Sequence, residues 1–209
     1  GFFVDEADDL LISAIAVTGV GSVVVTSATG KIDEDADDAT VNISTGGDVS
    51  LTAATSIGTD GANGFDVQSS DLTLDAPSMN VVVPTGTDLT ALSIVTDLSG
   101  GTRSVSADNL TIRISDDDTD FSLTDVTKTG SALNFEFTAD DGGIFVDTIN
   151  VNGGTVALTS TASFIRDLFA DTLINVTAST LTLSAATGIG TSANQFETTV
   201  TNFEADGGS

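Results

Sequence analysis

Residues Leu51 to Thr59 read Leu-Thr-Ala-Ala-Thr-Ser-Ile-Gly-Thr, and 132 residues later Leu183 to Thr191 read Leu-Ser-Ala-Ala-Thr-Gly-Ile-Gly-Thr. Seven of the nine positions are identical. The match runs on, with one gap, through Ala62-Asn-Gly-Phe65 and Ala193-Asn-Gln-Phe196. Upstream, Asp38-Ala-Thr-Val-Asn-Ile43 pairs with Asp171-Thr-Leu-Ile-Asn-Val176. A chain that repeats itself at long period is built by stacking similar units, each covering an apolar face that its neighbour cannot cover alone. The internal copies span about 1–76 and 139–209, and about 77–138 form an insert with no second copy. Ala139 to Asp147 also resembles Ala205 to Ser209 joined to Gly1 to Asp5. That match predicts one segment, 1–209, of a larger tandem array.

Inside each copy the period drops to two. Val49-Ser-Leu51, Leu72-Thr-Leu74, Leu110-Thr-Ile-Arg-Ile114, Phe135-Glu-Phe137 and Leu181-Thr-Leu183 each alternate apolar with polar. Alternation of this kind places one set of side chains inward and the other outward on a strand. Gly, Asp, Asn, Ser and Thr fill the gaps between runs, as tight turns require. Val, Ile, Leu and Thr dominate, and Phe is the only aromatic. Branched side chains fit a pleated, half-buried surface. Residues 5–16 and 164–173 tolerate a helical spacing, but the copy aligned with each reads as strand, so strand is expected at both.

The fold class that follows is all-β, a parallel β-helix (solenoid) with coils of about 20–25 residues. Tandem β-sandwich repeats are the alternative. The solenoid is favoured because the copies differ by small insertions, which a coil accommodates as outward loops, and because no Cys or Trp core signature of an immunoglobulin-like sandwich is present. Asn42, Asn80, Asn109, Asn150 and Asn175 lie in or beside strands. In a solenoid an inward Asn can bond the coils on either side, whereas an Asn in a turn or on the surface does no such thing.

The charge is lopsided: 5 basic against 31 acidic residues, a formal net charge of -26. Phosphate binding needs a basic patch, so nucleic acid is excluded as a partner. An anionic membrane surface repels such a chain, and no run of ~18 apolar residues is present to insert into one. The absence of Cys removes disulfides and thiolate chemistry from the fold. Gly1-Phe-Phe-Val-Asp-Glu6 lacks the basic and long apolar regions of a signal peptide.

The pattern Leu-(Thr/Ser)-Ala-Ala-Thr-x-Ile-Gly-Thr-x-Ala-Asn, with the Asp-Gly-Gly-x-Phe-Val segment at 141–146, resembles repeats of very large bacterial filamentous-haemagglutinin-like proteins. These are surface adhesins and matrix proteins exported by two-partner or autotransporter routes. The resemblance covers most of 1–76 and 139–209. It implies a right-handed parallel β-helix, an extracellular or cell-surface location and a stalk or adhesive role. It also implies partners among neighbouring repeats of the same protein, self-association into filaments, and host or matrix glycans or proteins. No catalytic residues carry over.

The chemistry visible in the sequence is sparse. Without His and Cys, Ser-His and Cys-His nucleophiles cannot be assembled. An enzyme acting on acidic polysaccharide needs convergent cations, and Lys31, Arg103, Arg113, Lys128 and Arg166 are scattered. No catalytic or cofactor-binding residue is expected. Two Asp-x-Asp-x-Asp runs, Asp33, Asp35, Asp37 and Asp116, Asp118, Asp120, carry the carboxylate spacing that opens a calcium loop. The Gly at the sixth position and the Glu at the twelfth are missing in both. Calcium is therefore the one candidate ligand, with solvated acidic loops as the other reading. The expected function is a non-catalytic stalk or filament segment; an adhesive or calcium-stabilised module and a polysaccharide-active β-helix enzyme are the alternatives.

Overall fold

The computed structural model describes residues 1–37, 40–59, 64–84, 87, 89–96, 103–107, 110–116, 120–140, 142–169 and 171–208. Among these there are 25 strands and no helix. Neither stretch with tolerable helical spacing is helical among the described residues: Phe2–Glu6, Leu10–Ile12 and Ile15–Val17 are strands in the first, and Phe164–Asp167 is a strand at the start of the second. The chain divides into two compact units: 1–93 with 101–108, and 94–100 with 109–209.

In the first unit three parallel ladders run side by side. The first ladder stacks Phe2–Glu6, Val23–Ser27, Asp48–Ala53 and Asp71–Asp75. The second stacks Leu10–Ile12, Ile32–Glu34, Ser56–Ile57, Ser78–Val82 and Arg103–Ala107. The third stacks Ile15–Val17, Ile43–Thr45 and Phe65–Gln68, and passes on to Val81 and Val82. Along the first ladder Val4 faces Val25, Val25 faces Leu51 and Leu51 faces Leu74, so the coils take 21, 26 and 23 residues. Each coil visits three faces before it returns, which is the parallel β-helix that the alternation and repeat predict. A sandwich would place facing antiparallel sheets here instead.

The second unit repeats the plan. Its first ladder stacks Asn134–Ala139, Thr155–Ser160, Thr180–Ala185 and Asn202–Gly207. Phe137, Leu158, Leu183 and Ala205 are in register, giving coils of 21, 25 and 22 residues. The second ladder runs from Asp120–Lys128 through Gly143–Val146 and Phe164–Asp167 to Gly188–Ile189. The third runs from the end of Asp120–Lys128 through Ile149–Asn150 and Val176–Thr177 to Thr198–Thr199. One departure from parallel pairing lies in the insert. Leu110–Asp116 pairs antiparallel with Asp120–Lys128, with a register shift between Arg113 and Ile114.

The inward rows are apolar and sealed. Val23, Val25, Leu51, Leu74, Phe135, Phe137, Leu158 and Leu181 are all fully buried. Alternate residues on the same strands face out, as the burial pattern BiBiB of Val23–Ser27 shows. Strands buried on one side in this way hold their register firmly, because a slip of one residue would turn the whole apolar set to solvent.

The repeated nonapeptide folds the same way twice. Leu51 and Leu183 lie on first ladders; Ile57 and Ile189 lie on second ladders. Gly58 and Gly190 follow them with φ of 65° and 61°. That left-handed conformation is costly for any residue with a Cβ. The two sites differ in space. A Cβ on Gly58 would sit 2.3 Å from the Asn80 carbonyl oxygen, whereas on Gly190 nothing comes nearer than 3.4 Å. Gly190→Ala is expected to cost about 1 kcal/mol from backbone strain alone. Gly58→Ala is expected to cost about 3 kcal/mol, because strain and overpacking add. Urea denaturation of the two variants checks the ranking.

Two alignments made on sequence fare differently. Asn42 and Asn175 are true equivalents, as described below. The match across the chain ends is not kept: Phe3 and Val4 lie on a first ladder opposite Val24 and Val25, while Phe145 and Val146 lie on a second ladder. The residues that occupy the place of Phe145-Val146 in the first unit are Leu11-Ile12.

Candidate functional site

The polar side chains that the fold buries are concentrated where one coil must be tied to the next. Asn42 is buried and bonds in both directions. Its Nδ2 donates to the Ile12 carbonyl oxygen at 3.1 Å, and its Oδ1 accepts the Asp66 N–H at 2.9 Å. Asn175 repeats this: Nδ2 donates to the Val146 carbonyl oxygen at 3.0 Å and Oδ1 accepts the Glu197 N–H at 2.9 Å. The backbone carbonyls of the two residues also accept matching bonds, from Ile15 N–H and Ile149 N–H, both at 2.7 Å. Each Asn thus joins the coil before it to the coil after it. Satisfied buried amides of this kind fix a unique arrangement, because any slip leaves donors and acceptors stranded.

Around Asn175 the network is larger. Nδ2 also lies 2.9 Å from Asp167 Oδ1 and 3.2 Å from the Asp147 carbonyl oxygen. The buried Asp167 carboxylate accepts Phe169 N–H and Asp171 N–H, both at 3.2 Å. The Asp167 carbonyl oxygen accepts from Asn194 Nδ2 at 3.0 Å. This cradle pins the start of the 168–174 loop, which turns Phe169, Leu173 and Ile174 outward, 60%, 62% and 42% exposed. In the first unit the loop at the same place holds Asp35 and Asp37, both exposed.

A second recurrent device sits at the corner after the second strand of each first ladder. The Ser27 hydroxyl donates to the Asp8 carbonyl oxygen at 2.6 Å and accepts Gly30 N–H at 3.2 Å. The Ser160 hydroxyl donates to the Gly142 carbonyl oxygen at 2.7 Å and accepts Ser163 N–H at 3.1 Å. Both serines are buried. A hydroxyl can donate and accept at once, which is what a corner between two coils needs.

Of the calcium candidates, the structure places Asp33, Asp35, Asp37 and Asp120. Asp33 belongs to the strand Ile32–Glu34 and is buried, 3.8 Å from the Lys31 ammonium, while Asp35 and Asp37 stand exposed beyond the strand end. Asp120 Oδ1 accepts Gly143 N–H at 2.7 Å, serving the ladder. Asp118 lies outside the described residues, as do Asn109 and the side chain of Asp116. Among the described residues no group of three or more acidic side chains is placed to hold a metal ion. Of the cations, Lys128 is buried at the end of its strand, and Arg166 lies 4.0 Å from the Phe164 ring centroid. Of the remaining asparagines, Asn150 is exposed and accepts Asn152 N–H in a turn.

No family model, curated protein or solved structure matches this chain.

Burial raises the Asp33 pKa above its ordinary 3.8; the Glu34 N–H and the Lys31 charge pull it down, and Asp37 pushes it up. An acid whose folded pKa is raised binds its proton more tightly in the folded state. The folded chain is therefore favoured below the unfolded pKa, and that advantage is lost as pH rises through the folded value. Asp33→Asn keeps an acceptor for the Glu34 N–H, 3.0 Å away in the native chain, and removes the buried charge. The variant is expected to be more stable than the parent at pH 7 and to lose that lead as pH falls through the raised folded pKa toward 3.8. Thermal melts at both pH values measure it.

Proposed function

We propose that this chain is a non-catalytic structural segment of a stalk or filament in a large bacterial surface or matrix protein, exposed outside the cell. The observation that carries the reading is what the two units share and what they do not. They share the inside: the Asn42 and Asn175 bonds, the Ser27 and Ser160 corners, the Gly58 and Gly190 turns. They differ outside, where exposed Ala36 and Thr40 in one loop stand in the place of exposed Phe169 and Leu173 in the other. A repeat retained for chemistry keeps its outward groups alike; a repeat retained for stacking keeps its inward ones. The net charge of -26 keeps such a surface solvated and repels acidic polysaccharide.

The test is electron microscopy of the parent protein. The reading expects many further copies of this unit and unbranched rods whose length grows with copy number. Compact particles, or release of unsaturated or shortened sugars from polygalacturonate or alginate, would remove it. The 168–174 loop favours an adhesive contribution by the same segment, since apolar side chains held outward on a pinned loop are what a protein partner can bury.

A further inference from the structure

Three large apolar side chains stand in solvent on the 168–174 loop of the second unit: Phe169, Leu173 and Ile174. No open end of the stack explains them. The strand before the loop, Phe164–Asp167, lies between Gly143–Val146 and Gly188–Ile189. The strand after it, Val176–Thr177, lies between Ile149–Asn150 and Thr198–Thr199. The stacking plan does not require them either, because the first unit carries exposed Ala36 and Thr40 in the places of Phe169 and Leu173. The same alignment shows a second exchange: Lys31 and Asp33 stand in the places of Phe164 and Arg166. In the first unit the cation is neutralised within the chain, with Lys31 Nζ 3.8 Å from the Asp33 carboxylate. In the second, Arg166 lies over the Phe164 ring, 4.0 Å from its centroid. That ring meets Phe145 edge to face, with centroids 5.1 Å apart. The Arg166 Nε makes no hydrogen bond, and Arg166 makes no ion pair among the described residues. One copy thus closes on itself at this place, and the other leaves a cation and an apolar loop facing outward.

We propose that the 168–174 loop docks against the same loop of a second copy, two-fold symmetrically, with Arg166 of each chain paired to Asp171 of the other. Charge complementarity names the occupant. Arg166 and Asp171 flank Phe169 in the chain, and Asp171 is exposed, so this coil carries both signs around an apolar centre. An isologous contact needs a patch that complements itself, and a two-fold axis near Phe169 sets cation against carboxylate twice. A purely basic partner would be opposed by Arg166. A purely acidic one would be opposed by Asp171 and by the net charge of -26. The loop is already held for docking: the Asp167 carboxylate accepts Phe169 N–H and Asp171 N–H, and Asp171 Oδ1 accepts Leu173 N–H at 2.7 Å. A segment ordered beforehand loses little conformational freedom on binding. Aromatic and Arg side chains gathered at one place are also the usual make-up of an interface centre. The inference stands on the second unit alone and does not rest on the stalk reading.

Sedimentation velocity of the chain is expected to show a monomer–dimer equilibrium, followed up to about 0.5 mM because so small a patch makes a transient contact. Raising NaCl from about 0.15 M to about 0.5 M should strengthen the dimer, since two chains of -26 repel until they are screened. Phe169→Ala with Leu173→Thr gives the loop the residues that its counterpart carries, so the fold is kept, and the dimer is expected to weaken at least about tenfold. The charge test is reciprocal. Arg166→Asp and Asp171→Arg are each expected to be monomeric alone, because like charges then face each other. Their equimolar mixture is expected to recover the dimer. One change adds two negative charges and the other removes two, so the mixed pair has the total charge of two parent chains and only the local pairing differs. Asp171→Arg also removes the acceptor for Leu173 N–H; should its thermal melt show a destabilised chain, the loop exchange decides. A monomer under every condition, a dimer that survives the loop exchange, or well-folded charge variants whose mixture stays monomeric would each overturn the proposal.

Discussion

Replacing Asn175 with Ala should lower the stability of the second unit by about 2–4 kcal/mol. The side chain makes no large apolar contact that would explain such a loss, so the effect would come from polar groups left behind. Truncation strands the Glu197 N–H and takes one of two donors from the Val146 carbonyl oxygen and from Asp167 Oδ1, which keep Leu168 N–H and Phe169 N–H. A buried group that loses its partner forfeits its full desolvation cost, about 1–3 kcal/mol, and more when it is charged. Asn175→Asp should do worse than Ala above pH 5. It keeps an acceptor for Glu197 N–H but sets a second carboxylate 2.9 Å from Asp167 Oδ1, where the amide nitrogen had donated. Asn150→Ala, at an exposed position, should change stability by less than about 0.5 kcal/mol. Urea denaturation, followed by a probe confined to the second unit, gives all three numbers. Equal losses at 150 and 175 would mean that the inter-coil amide does not hold the stack.

How far the sequence announced this arrangement depends on the residue. The alternation in Leu181-Thr-Leu183 and Val49-Ser-Leu51 told which side chains turn inward, because a period of two is a property of the strand itself. The nonapeptide at 51–59 and 183–191 told that two places fold alike, and they do, down to the sign of φ at Gly58 and Gly190. The alignment also paired Asn42 with Asn175 but gave no reason to set them above Asn80 or Asn150. Inwardness of an Asn is decided by backbone groups 22 to 30 residues away, the Ile12 and Val146 carbonyls and the Asp66 and Glu197 N–H groups, and no local pattern carries that information. The splice of the chain ends failed for a related cause. Phe-Val-Asp occurs at 3–5 and 145–147, yet every ladder of a solenoid wants the same alternation, so a three-residue match cannot tell one face from another. Asp33 was grouped with Asp35 and Asp37 by spacing. Its strand ends one residue later, at Glu34, so one acid is buried and the next two are solvated.

Phe137→Ala should be the most damaging single change among the apolar residues, at about 3–5 kcal/mol. Phe137 is fully buried on the first ladder of the second unit, in register with Leu158. Its ring meets Phe121 edge to face, with centroids 5.6 Å apart and planes at 72°. Phe121 lies on the strand Asp120–Lys128, which pairs parallel with Gly143–Val146 on one side and antiparallel with Leu110–Asp116 on the other. The aromatic pair therefore packs the first ladder against the strand where the pairing changes sense. Removing one ring loses its transfer energy and the edge-to-face term, about 0.5–1.5 kcal/mol, and opens a cavity that parallel strands on both sides hinder from collapsing. Phe137→Leu fills most of the volume and should cost roughly 1–2 kcal/mol. At the equivalent place in the first unit the chain carries Val4, partly exposed, so Val4→Ala should cost far less. Calorimetry of Phe137→Ala, Phe137→Leu and Val4→Ala separates a core that depends on this ring pair from one held by backbone ladders alone. In the second case the three variants would melt within a degree or two of one another.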